Sequence, residues 1–82
     1  MSGWIEESMV LKTPYIDLLQ LLKATGNAVT GGEAKALVVE GGIRVNGELE
    51  LRKRRKLRVG DVVELKGTIR ITVLDENPMV GS

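Results

Sequence analysis

Seven cationic side chains fall between positions 44 and 58: Arg44, Arg52, Lys53, Arg54, Arg55, Lys56 and Arg58. Five of them are consecutive, from Arg52 to Lys56. Adjacent cations repel one another, so such a run is expected to lie in solvent, where a polyanion is its natural stabiliser. A basic run alone is a weak signal, because most are solvated faces and some are nuclear import tags. Here the run is enclosed by apolar, strand-like segments, so a scaffold holds it, and Arg44 and Arg58 extend the charge onto neighbouring segments. Nucleic-acid binding is the leading expectation.

Thr30-Gly31-Gly32, followed by Lys35, is a second candidate. Glycines at the start of a helix let a phosphate approach backbone N–H groups at the positive end of the helix dipole. Taken alone, an ordinary capped helix is the commoner meaning. The spacing is not that of a P-loop, since Gly-x4-Gly-Lys-Ser/Thr is absent, and nucleotide hydrolysis gains no support. The chain has no His and no Cys, and no two carboxylates are convincingly paired by spacing. No catalytic residue, metal site or cofactor is therefore expected, and Gly60-Asp61 reads as a turn. The only aromatics, Trp4 and Tyr15, lie outside the basic region in sequence. Proteins that hold unpaired bases commonly stack them on aromatic side chains, so shape-and-phosphate recognition of a folded or double-stranded RNA fits better.

The elements that must position these groups follow from length and pattern. Eighty-two residues make a single domain, 1–82, with a core over about 9–74. A chain this short buries only somewhat more than ~60% of its unfolded surface, and without Cys no disulfide supplements the packing. The formal net charge of +1 conceals a dipolar molecule: residues 44–58 carry seven cations against Glu48 and Glu50, while the remainder carries five cations and nine acids. The acidic N-terminal stretch lacks a signal-peptide apolar run, and no apolar segment is of membrane length. A cytoplasmic monomer with no membrane contact is expected.

Residues 1–8 and 75–82 read as flexible tails, and Met9-Val10-Leu11-Lys12 as a short strand for a sheet edge. Thr13-Pro14 has the form of a helix start, with Thr13 capping and Pro14 in the first turn. Tyr15, Leu18, Leu19 and Leu22 then recur at helical spacing, and Gly26 can close the helix after Thr25. Val29 can pack inward. Thr30-x-x-Glu33 has the capping-box spacing for a second helix, with Ala34, Leu37 and Val38 on its apolar face and Gly41-Gly42 at its end. Beyond Gly42 the period becomes two, and Asn46-Gly47 is a strong hairpin signal. A three-residue or bulged loop, pairing Val45 with Leu49, Arg44 with Glu50 and Ile43 with Leu51, gives both faces a consistent character. Leu57 and Val59 are expected in the core. Residues 62–65 and 69–73 read as strands joined about Gly67-Thr68.

With these residues in view, the chain resembles the RNA-binding domain named after small-subunit ribosomal protein S-four, the αL motif. The likeness runs over about residues 15–65 and rests on Gly31-Gly32-Glu33-Ala34-Lys35, Gly42-Ile43-Arg44-Val45-Asn46-Gly47-Glu48, Arg52, Arg55-Lys56-Leu57 and Gly60-Asp61-Val62-Val63-Glu64. It is strongest toward the small free-standing bacterial members. The resemblance implies an α+β fold, two N-terminal helices against a small, mainly antiparallel sheet. It also implies binding of structured RNA, ribosomal or transfer RNA, through helix two, the loop before it and the hairpin after it. It assigns phosphate contacts to Lys35, Arg44, Arg52, Lys53, Arg55 and Lys56. Many members carry Arg where this chain has Gly32, so helix two is expected to contribute less here and the basic loop more.

The combined expectation is a non-catalytic protein gripping structured RNA, with ribosome association in view. Its contacts are Thr30, Gly31, Gly32, Lys35, Arg44, Arg52, Lys53, Arg54, Arg55, Lys56 and Arg58. About four to six ionic contacts would make affinity fall steeply with salt. Charge reversal at Arg55 and Lys56 should leave the fold within about 0.5 kcal/mol if the loop is solvated. The rival is an adaptor whose basic loop docks an acidic protein. A sulfur-carrier-like β-grasp protein ranks below both, because the chain ends Val80-Gly81-Ser82 rather than Gly-Gly.

Overall fold

The structure is a computed structural model and describes residues 3–76. Within them the chain forms β1 (Ile5–Leu11), β2 (Ile16–Asp17), α1 (Leu18–Ala24), α2 (Gly31–Val39), β3 (Ile43–Val45), β4 (Glu48–Leu49), β5 (Lys56–Leu57), β6 (Val62–Leu65) and β7 (Ile69–Asp75). Five strands build one sheet in the order β1-β7-β6-β3-β4. Its β7–β6, β6–β3 and β3–β4 ladders are antiparallel, and β1–β7 is parallel. β2 and β5 form a separate antiparallel pair. The architecture is the expected α+β arrangement, two helices on a mainly antiparallel sheet.

Alternation along the strands sends Ile43, Val45, Val63, Leu65, Ile71 and Val73 to one face of the sheet. There they meet Leu18, Leu21 and Leu22 of α1 and Ala34 and Val38 of α2, all buried. Leu57, fully buried, joins this core from β5. α1 ends at Thr25, and Gly26 takes φ 79° beyond it, as the sequence predicts. α2 begins after Thr30, whose hydroxyl accepts from the Glu33 amide at 3.1 Å. The Glu33 carboxylate reaches back one residue further than a standard capping box, accepting from the Val29 amide at 2.7 Å. Val29 is consequently held outward and is 83% exposed, while Ala28 packs inward in its place.

Four sequence expectations give way, two to pairing between distant segments and two to local turn geometry. Residues 5–8 are not a tail: β1 runs from Ile5 and lies alongside β7, with Glu6 opposite Arg70 and ion-paired to it at 2.7 Å. No local pattern reports a parallel partner more than sixty positions away. At the other end, Asp75 closes β7 opposite Leu11, and the expected tail over 77–82 lies outside the described residues.

The first helix does not start at Thr13-Pro14. Pairing with β5 keeps Ile16 and Asp17 extended, so α1 opens at Leu18 with Asp17 as its N-cap, accepting from the Gln20 amide at 2.9 Å. Thr13 instead donates its hydroxyl to the Tyr15 carbonyl at 2.8 Å. Tyr15 is therefore outside the helix.

The hairpin has the strict two-residue turn rather than a bulge. Arg44 pairs with Leu49 and Val45 with Glu48, and Asn46 and Gly47 have φ of 53° and 86°. Two successive left-handed residues are what a type I′ turn requires, and they match the strand twist. This register leaves Leu49 and Leu51 exposed and carries Glu50 to the core side, where its amide donates to the Ile43 carbonyl at 3.0 Å. Val59 also leaves the core, because a turn over residues 58–61, closed by the Asp61 amide on the Arg58 carbonyl, rotates it outward.

Candidate functional site

The basic loop joins β4 to β5, and its shape is set by Glu50. That residue is 5% exposed, and its carboxylate accepts four hydrogen bonds. Three come from Arg52: its amide and Nε at 2.9 Å, and Nη2 at 3.1 Å. The fourth comes from Arg55 Nη1 at 2.7 Å. A buried carboxylate is costly unless charge and hydrogen bonds compensate it, and two guanidinium groups supply both. The Arg52 hydrogen bonds, opposed by burial and reinforced by Arg55, lower the Glu50 pKa from its ordinary 4.5 to about 2. Glu50 is thus ionised at neutral pH and pulls two cations of the run into fixed positions.

The loop is also tied to α1. The Leu18 amide donates to the Arg55 carbonyl at 2.9 Å, and Asp17 Oδ2 lies 3.5 Å from Arg54 Nε. Asp17 therefore caps the helix with one oxygen and meets the loop with the other. The same pairing places the Lys56 ammonium 4.8 Å from the centre of the Tyr15 ring, within cation–π range.

A second brace holds the two turns that flank the loop. The Asn46 amide group donates to Asp61 Oδ1 at 3.1 Å, and its oxygen accepts from the Val62 amide at 3.0 Å. Asp61 Oδ2 accepts from the Arg58 amide at 2.9 Å. Burial pushes the Asp61 carboxyl up, but these hydrogen bonds and the charges of Arg55 and Arg58 outweigh it and hold the group below its usual range. The Asn46-Gly47 and Gly60-Asp61 signals are thus parts of one device.

Arg52, Arg54, Arg55, Lys56 and Arg58 together line an open groove of about 530 Å³. Three carboxylates, Glu50, Asp17 and Asp61, partly neutralise these five cations, so the groove keeps an excess of positive charge. Lys53 is exposed at the loop tip and is not among the groove's lining residues. Arg44 projects from the opposite face of β3 to Ile43 and Val45, donates to the Gly47 carbonyl at 3.4 Å, and borders a different recess, with Trp4, Glu64 and Lys66. Thr30, Gly31, Gly32 and Lys35 lie at the start of α2 and do not line the groove. The predicted residues are therefore distributed over four places: the groove, the loop tip, the recess beside Arg44 and the start of α2.

The expectation of a uniformly solvated loop is corrected by Arg55, whose side chain is only 26% exposed against Glu50. Glu50, Asp17, Asn46 and Tyr15 carry the site without having been singled out for it. A signal existed for Glu50: a lone acid between Leu49 and Leu51, just ahead of a cationic run, is where a buried counter-charge would stand. Tyr15 had none, since forty residues separate it from Lys56. Among the described residues, no cluster of His, Cys, Asp and Glu could hold a metal ion, and no helix is long and apolar enough to cross a membrane.

Comparison with known proteins places the chain in a family. The chain is 39% identical over 56 residues to the putative RNA-binding protein YbcJ of Escherichia coli (strain K12), covering 68% of this chain and 80% of that protein. It is 44% identical over 57 residues to the probable ribosome maturation protein RlbA of Bacillus subtilis (strain 168), covering 70% and 80% respectively. The solution structure of YbcJ from E. coli, described as revealing an αL motif involved in RNA binding, matches with a TM-score of 0.59 and 34% identity over 88% of this chain and 91% of that one. The 30S ribosomal protein S4e of Thermoplasma acidophilum shares the fold, with a TM-score of 0.59 and 23% identity; the match covers 68% of this chain but 30% of that one. The S4 domain family model matches residues 9–74, a span holding both helices, the hairpin and the whole basic loop, and the chain belongs to the S4 domain family.

Proposed function

We propose that this protein is a non-catalytic RNA-binding protein that grips the sugar–phosphate backbone of a structured RNA of the ribosomal or transfer class. The observation that carries the reading is the groove of Arg52, Arg54, Arg55, Lys56 and Arg58, held by Glu50 and Asp17. Guanidinium groups fixed in advance lose less freedom when they meet a phosphate, and Arg can do so through two parallel N–H donors. The names of the relatives, one an RNA-binding protein and one a ribosome maturation protein, support an RNA partner and a place in ribosome maturation. In this reading the protein acts as a cytoplasmic monomer.

Within this reading the groove supplies most of the affinity. Lys53 at the loop tip and Arg44 beside the hairpin turn add outlying phosphate contacts. The start of α2, with Thr30, Gly31, Gly32 and Lys35, is a weaker contact, because Glu33 already places a carboxylate there. A titration of nuclease-treated protein against a fully paired RNA hairpin and an unpaired strand, over a salt series, tests the proposal. Tighter binding of the hairpin is expected, with log affinity falling against log salt at a slope of about −2.7 to −3.6, as for three to four neutralised phosphates. Absence of binding to either RNA at low salt would overturn it and favour an acidic protein partner.

A further inference from the structure

The pairing of β2 with β5 does more than brace the loop. It sets Ile16 opposite Leu57 and Asp17 opposite Lys56, so alternation turns Ile16 and Leu57 toward the core and Tyr15, Asp17 and Lys56 outward. Those outward residues, with Gln20 from the first turn of α1 and Arg54 from the loop, line a recess of about 380 Å³. It shares Arg54 and Lys56 with the cationic groove, so the two are contiguous. An aromatic ring distant in sequence thereby stands at the rim of the phosphate-binding surface. Tyr15 remains 43% exposed with the Lys56 ammonium over its ring.

We propose that this recess is a site for a single unpaired nucleobase of the bound RNA, stacked on Tyr15. The proposal rests on the RNA-binding reading and names a feature of the RNA that the groove alone would not select. A base turned out of a helix exposes its faces and its pairing edge, and proteins hold such bases on aromatic rings beside cations that take the adjoining phosphates. Every component is present here. Tyr15 offers the ring, from whose face the Lys56 ammonium moves to an adjoining phosphate when the base stacks; Arg54 reaches both recess and groove, and the exposed Gln20 carries a side-chain amide that can both donate to and accept from a base edge. Asp17 keeps the wall in place by accepting from the Gln20 backbone N–H and pairing with Arg54. The preferred RNA is therefore a duplex interrupted by a bulged or flipped nucleotide, its backbone in the groove.

The test compares two RNA hairpins that differ by one bulged adenosine, with 2-aminopurine replacing that base in a second experiment. Wild-type protein should bind the bulged hairpin about tenfold more tightly than the paired one, the order expected of one stacked base. Binding should also quench the 2-aminopurine emission. Tyr15→Leu should bring the affinity ratio of the two hairpins close to one and abolish the quenching, whereas Tyr15→Phe should keep both. A wild-type ratio near one, or an unchanged ratio in Tyr15→Leu, overturns this inference and leaves the backbone-grip reading standing. Failure of both hairpins to bind at low salt overturns both.

Discussion

Replacing Glu50 by Gln should destabilise the protein at neutral pH and do so by an amount that vanishes in acid. The carboxylate is 5% exposed and accepts four hydrogen bonds from Arg52 and Arg55. The fall of its pKa from 4.5 to about 2 is equivalent to roughly 3 kcal/mol of preference for the charged form in the folded state. Arg52 is 72% exposed, so solvent screens part of this, and about 2 kcal/mol is the reasonable expectation for the neutral amide. Because the folded-state pKa lies below the unfolded one, the contribution is fully present above pH 4.5 and is lost as pH falls toward 2. Urea denaturation of both proteins at steps from pH 7 to pH 2 measures it directly. The wild type should lose its advantage within that window, and at pH 7 the variant's melting temperature should lie about 8–16 °C lower. A difference under about 0.5 kcal/mol at pH 7, or one that persists undiminished at pH 2, would refute the assignment of Glu50 as the charged anchor of the loop.

Charge changes separate binding from folding along the same loop. Arg55→Glu sets a carboxylate against Glu50 and should cost about 2–3 kcal/mol in a denaturation assay, contrary to what a fully solvated loop would give. Neutralisation by Arg58→Gln, at an exposed groove position, should change stability by about 0.5 kcal/mol or less and reduce the salt slope of RNA binding by about 1. Asn46→Ala removes the links to Asp61 and the Val62 amide and leaves Ala at φ 53°; a loss of about 2 kcal/mol is expected from urea curves, with Asn46→Gly losing less. Gly32→Ala places a methyl group 3.8 Å from the Thr30 hydroxyl, an ordinary contact, and should stabilise α2 by about 0.5 kcal/mol, read as a raised melting temperature.

Local chemistry alone determined much of this protein. The capped start of α2, the glycine that closes α1, the Asn-Gly hairpin and the alternating strands from Ile69 all follow from interactions within a few residues, and they are legible in the order of residue types. So is the density of cations after β4, since charge needs no fold to be counted. What the chain could not announce was every feature made by partners far apart in sequence. β1 is a strand because β7 offers it a parallel edge, and α1 starts late because β5 holds Ile16 and Asp17 extended. The hairpin register also went against the pairing of apolar side chains, since turn geometry and the arginines that satisfy Glu50 outweighed the exposure of Leu49 and Leu51. Five cations in a row fixed the sign of the surface. Their arrangement, with two held on a buried carboxylate and one over a tyrosine ring, was decided only when the tertiary fold brought Glu50, Asp17 and Tyr15 beside them, because electrostatic and stacking contacts act through space and not along the chain.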